Sequence, residues 1–118
     1  MKSLTRTLQS ANGFKVVCDE VSLGTAASDR PDLVFLHGTG LVRQCWLPIA
    51  ESLLRQNVAG RAILFDMALM GESAALNHNF ANTDVYAQYL ADLEAVLDSS
   101  DGSRRVVLVG HSLGALTS

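Results

Sequence analysis

The chain holds only two cysteines, Cys18 and Cys45, in 118 residues. Two isolated thiols without metal-ligand spacing exclude a disulfide framework and a cysteine-ligated metal centre, and they read as reduced thiols of a cytosolic protein. Basic residues are few and scattered: nine Lys/Arg against twelve Asp/Glu give a formal charge of −3. No stretch gathers them, so there is no nucleic-acid footprint. No apolar run approaches the length of a membrane span. The first segment, Met1 to Gly13, carries Lys2 and Arg6 but no apolar core of a secretory signal, and the cytoplasm is the default location. Internal repeats and low-complexity tracts are absent as well.

What is present suffices for one globular domain. Apolar residues make up 48% of the chain and the mean hydropathy is +0.21, which excludes a disordered polypeptide. Phe14 to Val21 alternates loosely and predicts a strand. Gly24 to Asp32 is rich in turn residues. Asp32 to Leu36 is a short continuous apolar run, as in a strand covered on both faces. A helix is expected from about Val42 to Gln56, because Trp46, Ile49, Ala50, Leu53 and Leu54 recur at three- and four-residue steps. Pro48 near its start can displace the first turn, and Gly60 is a stop signal.

Arg61 to Asp66 predicts a second buried strand, and Met67 to Ala81 a loop. Asn82 or Thr83 can cap the helix that follows. Its apolar stripe runs through Val85, Tyr86, Tyr89, Leu90, Leu93, Val96 and Leu97, with Asp84, Asp92, Glu94 and Asp98 mostly to the other side. Ser99 to Ser103 form a turn, and Arg105 to Val109 a third buried strand. Strands alternating with amphipathic helices predict an α/β fold with a mainly parallel sheet flanked by helices. Ligands of such sheets gather at the carboxyl ends of the strands. His37, Asp66 and the segment Gly110–Gly114 all fall there.

Two of these segments carry a chemistry. Gly110-His111-Ser112-Leu113-Gly114 is a Gly-x-Ser-x-Gly string between an apolar strand and a helix, the setting of a nucleophile elbow. A serine that attacks a carbonyl must be exposed, served by a base, and set beside oxyanion donors. A tight turn provides the exposure and demands small neighbours, hence Gly110 and Gly114. The backbone N–H of Leu113 would be one donor. His37-Gly38-Thr39-Gly40 also follows a buried strand, and the N–H of Thr39 would be the second. His111, next to the serine, cannot readily fold back as base and reads as a packing or rim residue.

Taken together these segments resemble the α/β-hydrolase superfamily. Val34-Phe35-Leu36-His37-Gly38 is similar to its strand and oxyanion turn. Trp46 lies where many members carry a Trp, and Asp66 to Ser73 resembles the loop Asp-x-Pro-Gly-x-Gly-x-Ser. Val107 to Gly114 resembles its elbow. The resemblance covers Asp32 to Ser118. It implies a serine hydrolase acting on a small-molecule acyl substrate (an ester, a thioester or a related compound), with Ser112 as nucleophile and no metal or cofactor.

Two departures accompany it. Ala68-Leu69-Met70 replace the expected Pro and Gly of the middle loop; the Leu and Met are expected to cover the core, with the lining of an apolar pocket as the alternative. The acid and histidine that follow the serine in this family are missing, since the six residues after Ser112 include neither. His37 is expected to be buried and structural, and His78 lies in a polar loop. The third strand would form an exposed apolar edge. These features predict the amino-terminal part of a hydrolase domain, spanning residues 1–118 and inactive alone. Two other readings compete: a non-catalytic hydrolase-like binding protein, and a dinucleotide-binding domain using Gly38-x-Gly40 and Asp66. In the latter, the bulk of Arg43 at the third small position would obstruct helix–strand packing.

Overall fold

In a computed structural model the described residues are 1–24, 29–100 and 104–117. Parts of the two turn regions expected at Gly24–Asp32 and Ser99–Ser103 therefore lie outside them. Five strands form one sheet in the order β1-β2-β4-β3-β5. The strands are β1 (Lys2–Gln9), β2 (Lys15–Ser22), β3 (Asp32–Leu36), β4 (Arg61–Phe65) and β5 (Val106–Gly110). The helices are a 3₁₀ turn at Arg43–Trp46, then α1 (Leu47–Arg55), α2 (Gly71–Leu76), α3 (Val85–Asp98) and α4 (Leu113–Thr117).

The β3–β4 and β3–β5 pairings are parallel, as expected. The β1–β2 hairpin pairs antiparallel to β4 through β2, so the sheet as a whole is mixed. β1 is an addition to the expected elements. It is an edge strand whose side chains are mostly exposed, so it needs little apolar patterning and leaves little trace in the sequence.

Alternation along the inner strands divides the core in two. Val34, Leu36, Ile63 and Phe65 face α3, packing with Tyr89, Leu93 and Val96. Leu33, Phe35, Ala62 and Leu64 face α1, packing with Ala50 and Leu54. A period of two on strands buried on both faces reads as continuous apolarity, as in β3 and β4. At the amino ends of the parallel strands Asp32 is fully buried and accepts hydrogen bonds from Arg61 and Arg104.

Several helical expectations are corrected. The 42–56 segment opens as the 3₁₀ turn, and α1 starts only at Leu47, with Pro48 in its first turn where a missing N–H costs nothing. It ends at Arg55, and Asn57 just beyond it, with a φ of 61°, turns the chain away before Gly60. Ile49 is 49% exposed and does not join the core face. The 67–81 loop contains α2. Asp84, and not Asn82 or Thr83, caps α3 by accepting from the Ala87 N–H at 3.1 Å. Val85, Tyr86 and Leu90 are exposed, whereas Asp92 is fully buried. The buried face of α3 is thus narrower than the apolar stripe and includes a carboxylate.

Candidate active site

The register of the parallel strands aligns Leu36 with both Phe65 and Gly110. His37, Asp66 and His111 therefore follow three neighbouring strand ends on one rim. The His111 N–H donates to the Leu36 carbonyl at 3.2 Å, carrying the pairing one residue past β5. The chain then turns sharply into α4. Ser112 has a φ of 56°, a left-handed conformation that costs a non-glycine residue on the order of 1 kcal/mol or more. Its side chain is exposed at the top of the turn.

The glycines around it are required by space. A β-carbon on Gly114 would stand 2.2 Å from the Leu36 carbonyl oxygen, and one on Gly110 would stand 2.6 Å from the Gly114 backbone. Both distances are far inside van der Waals contact, so no side chain fits. The oxyanion turn expected at His37–Gly40 is brought against this elbow. A β-carbon on Gly38 would lie 3.3 Å from the Ser112 Cβ and 3.0 Å from His111 Nδ1. His111 itself is exposed.

The Gly38 carbonyl accepts from the Leu41 N–H at 3.1 Å, closing a four-residue turn. Gly40, its third residue, has a φ of 80°, the conformation that a type II turn reserves for glycine. Thr39 projects at the exposed corner. The same carbonyl accepts from His37 Nδ1 at 2.9 Å, and His37 Nε2 accepts from the Met67 N–H at 3.1 Å. The second bond needs an unprotonated Nε2, so the imidazole is the neutral Nδ1–H tautomer. Burial lowers its pKa, which holds it neutral. With both nitrogens engaged, His37 is not available as a base, in accord with its expected structural place. His78 is exposed beyond α2.

Asp66 is fully buried and bonded on several sides. It accepts from the Arg43 N–H at 2.7 Å, from Arg43 Nη1 at 2.6 Å and from the Glu72 N–H at 3.0 Å. Arg43 also reaches Asp19 and Glu72. This carboxylate ties the 3₁₀ turn to the start of α2. It is not presented to a ribose, which removes the support for a dinucleotide site. Leu69 and Met70 pack against the core, as expected of the unusual loop, while Met67 is fully enclosed in it.

Sequence reasoning passed over Tyr89 and Asp92 as parts of this rim. Tyr89 is fully buried and its hydroxyl donates to the His37 carbonyl at 2.7 Å. Asp92 accepts from the Ala68 N–H at 2.7 Å and from Gln88 Nε2 at 2.7 Å. Burial raises its pKa to about 6. The register of Tyr89, Leu93 and Val96 along α3 was the signal available, because position 92 shares their face. Among the described residues no group of three or more His, Cys, Asp or Glu could hold a metal ion. No helix there is long and apolar enough to cross a membrane.

Residues 33–118 match the Alpha/beta hydrolase family. The chain is 39% identical over 85 residues to a probable esterase, PIR7A, of Oryza sativa subsp. indica, covering 71% of this chain and 30% of that protein. Among solved structures, an alpha/beta hydrolase from Novosphingobium aromaticivorans superposes with a TM-score of 0.77 at 26% identity, over 98% of this chain and 37% of that one. The epoxide hydrolase VrEH1 from Vigna radiata superposes with a TM-score of 0.74 at 24% identity, over 98% of this chain and 33% of that one. The chain thus spans about a third of the length of these relatives. A family match across most of the sequence, an elbow whose glycines admit no side chain and a mixed sheet with the same superposition lead to one statement: the chain belongs to the alpha/beta hydrolase family.

Proposed function

We propose that this chain supplies the nucleophile and the oxyanion donors of a serine hydrolase acting on an ester, thioester or related acyl substrate. The observation that carries the reading is Ser112: an exposed serine at φ 56°, between two glycines with no room for a β-carbon, and packed against Gly38. Strain held by such close packing at a strand–helix turn is characteristic of a functional position. The 39% identity to a probable esterase supports an acyl substrate.

In this reading Ser112 Oγ attacks the acyl carbonyl and gives its proton to a histidine base. The N–H groups of Thr39 and Leu113 hold the oxyanion. Collapse of the adduct expels the alcohol or thiol, which takes the proton from the base, and water then releases the acid. His37 is committed to Gly38 and Met67, so the reading does not assign the base to it.

The test is covalent labelling of the protein expressed from its complete reading frame. A fluorophosphonate is expected to modify Ser112, located by peptide mass spectrometry, and Ser112→Ala is expected to abolish both labelling and turnover of p-nitrophenyl acetate. Turnover that survives Ser112→Ala unchanged would overturn the reading.

A further inference from the structure

We infer that Tyr89 is a positioning residue that sets the direction of the Thr39 N–H, through a hydrogen-bonded circuit anchored on α3. The inference rests on the serine hydrolase reading above and extends it to a residue in the core.

In a trans peptide the N–H points opposite to the C=O of the preceding residue, so fixing one fixes the other. Tyr89 Oη donates to the His37 carbonyl at 2.7 Å, which sets the His37–Gly38 plane. The Gly38 carbonyl accepts from His37 Nδ1 at 2.9 Å and from the Leu41 N–H at 3.1 Å, and the two bonds together set the next plane, Gly38–Thr39. The N–H of that second plane belongs to Thr39. The ring is held at its far side by the Met67 N–H. The adjacent N–H, that of Ala68, is held by Asp92. Tyr89 and Asp92 are three residues apart and share one face of α3. The circuit therefore runs from α3 through the turn and the imidazole to the end of β4, and back to α3.

Packing keeps it in register. The Tyr89 ring lies 5.8 Å from the His37 ring and meets Phe65 edge-on at 5.8 Å. Burial raises the Tyr89 pKa, so the hydroxyl keeps its proton and remains a donor. A phenol enclosed in the core spends its one hydrogen on the turn that holds the proposed oxyanion donor. Ordinary core packing would be served equally by phenylalanine.

Tyr89→Phe retains the ring and removes only the donor. In the protein expressed from the complete reading frame, the rate constant for fluorophosphonate labelling at saturation is expected to fall about tenfold, less than the roughly hundredfold or more that complete loss of an oxyanion donor costs. The concentration for half-saturation is expected to stay within about twofold, since binding of the probe body does not use the turn. Val96→Ala, which removes packing from the same helix without touching the turn, controls for lost stability. It is expected to lower the melting temperature and to leave the labelling rate at the wild-type value.

Wild-type labelling kinetics in Tyr89→Phe would overturn the inference, as would an equal slowing by Val96→Ala. Absence of labelling at Ser112 in the wild-type protein would overturn the serine hydrolase reading, and this inference with it.

Discussion

At the scale of single residues, the rim is decided by what is missing from side chains. Gly114 lies so close to the Leu36 carbonyl that a methyl group would overlap it by more than an ångström. The obstacle is backbone of a central strand, which cannot swing aside as a flexible side chain would. Gly114→Ala is therefore expected to destabilise the protein by about 3 kcal/mol or more, read from urea unfolding. Gly38→Ala meets its neighbours at 3.0–3.3 Å, so a few tenths of an ångström of yielding suffice, and its cost should be the smaller of the two. Equal costs would contradict this account of the elbow. Gly-x-Ser-x-Gly was legible as a string. Which atoms enforce each glycine was not, because Leu36 stands 78 positions away from Gly114 in the chain.

At the scale of elements, α3 shows how a helix can hide a polar function inside an apolar stripe. Its exposed residues include Val85, Tyr86 and Leu90, and its buried ones include Gln88 and Asp92. Hydropathy alone assigns these residues to the opposite sides. The buried carboxylate has a consequence for stability. Its pKa lies near 6 in the folded protein against an ordinary value of 3.8, with burial as the main cause, opposed by the bonds from Ala68 and Gln88. The folded state therefore holds the proton more tightly than the unfolded chain. Its contribution to stability is fully present below about pH 4 and is lost as the pH rises through about 6. Asp92→Asn removes the titration while keeping an oxygen for the Ala68 N–H. The stability of Asp92→Asn relative to wild type is expected to rise by about 2 kcal/mol between pH 4 and pH 7.5. Parallel denaturation curves at the two pH values check it, and a pH-independent difference would refute it.

The loop after β4 teaches the same lesson at element scale. It departs from the expected pattern at Ala68-Leu69-Met70, and the structure shows how it is secured. Ser73 accepts from the Val17 N–H and donates to the Asp66 carbonyl. Asn77 accepts from the Lys15 N–H and donates to the Lys15 carbonyl. These side chains satisfy β2 backbone groups beyond its Cys18–Val21 pairing with β4. Short polar residues in a loop are read from sequence as solvent-facing, and here they substitute for a neighbouring strand.

At the scale of the whole molecule, the sheet ends on β5 with unequal faces and an open side. Val107 is 46% exposed, and among the described residues β5 pairs with β3 alone. An apolar edge with free backbone donors and acceptors invites pairing with another chain. Residues 1–118 expressed alone are expected to self-associate, and Val107→Lys is expected to shift the population toward monomer in sedimentation velocity. An equally monomeric wild-type chain would show that this edge is not sticky. β1, at the other side of the sheet, carries Lys2, Thr5 and Arg6 and presents a more polar edge.

The sequence by itself determined the covalent order of the parts: apolar strands of the right length, helical stripes between them, and a glycine-flanked serine after the last strand. These are local properties, set by side-chain period, by turn chemistry and by the bulk a sharp turn can tolerate, so a linear reading recovers them. It also placed His37, Asp66 and Gly110 at strand ends, because parallel strands share a direction. The tertiary structure alone decided which of those ends are neighbours, and that Asp66 serves Arg43 and leaves no open acidic site. It alone set a tyrosine from the far side of the core against the carbonyl of His37. Hydrogen bonds and excluded volume act over a few ångströms of space without regard to separation along the chain, and only folding brings those distances into being.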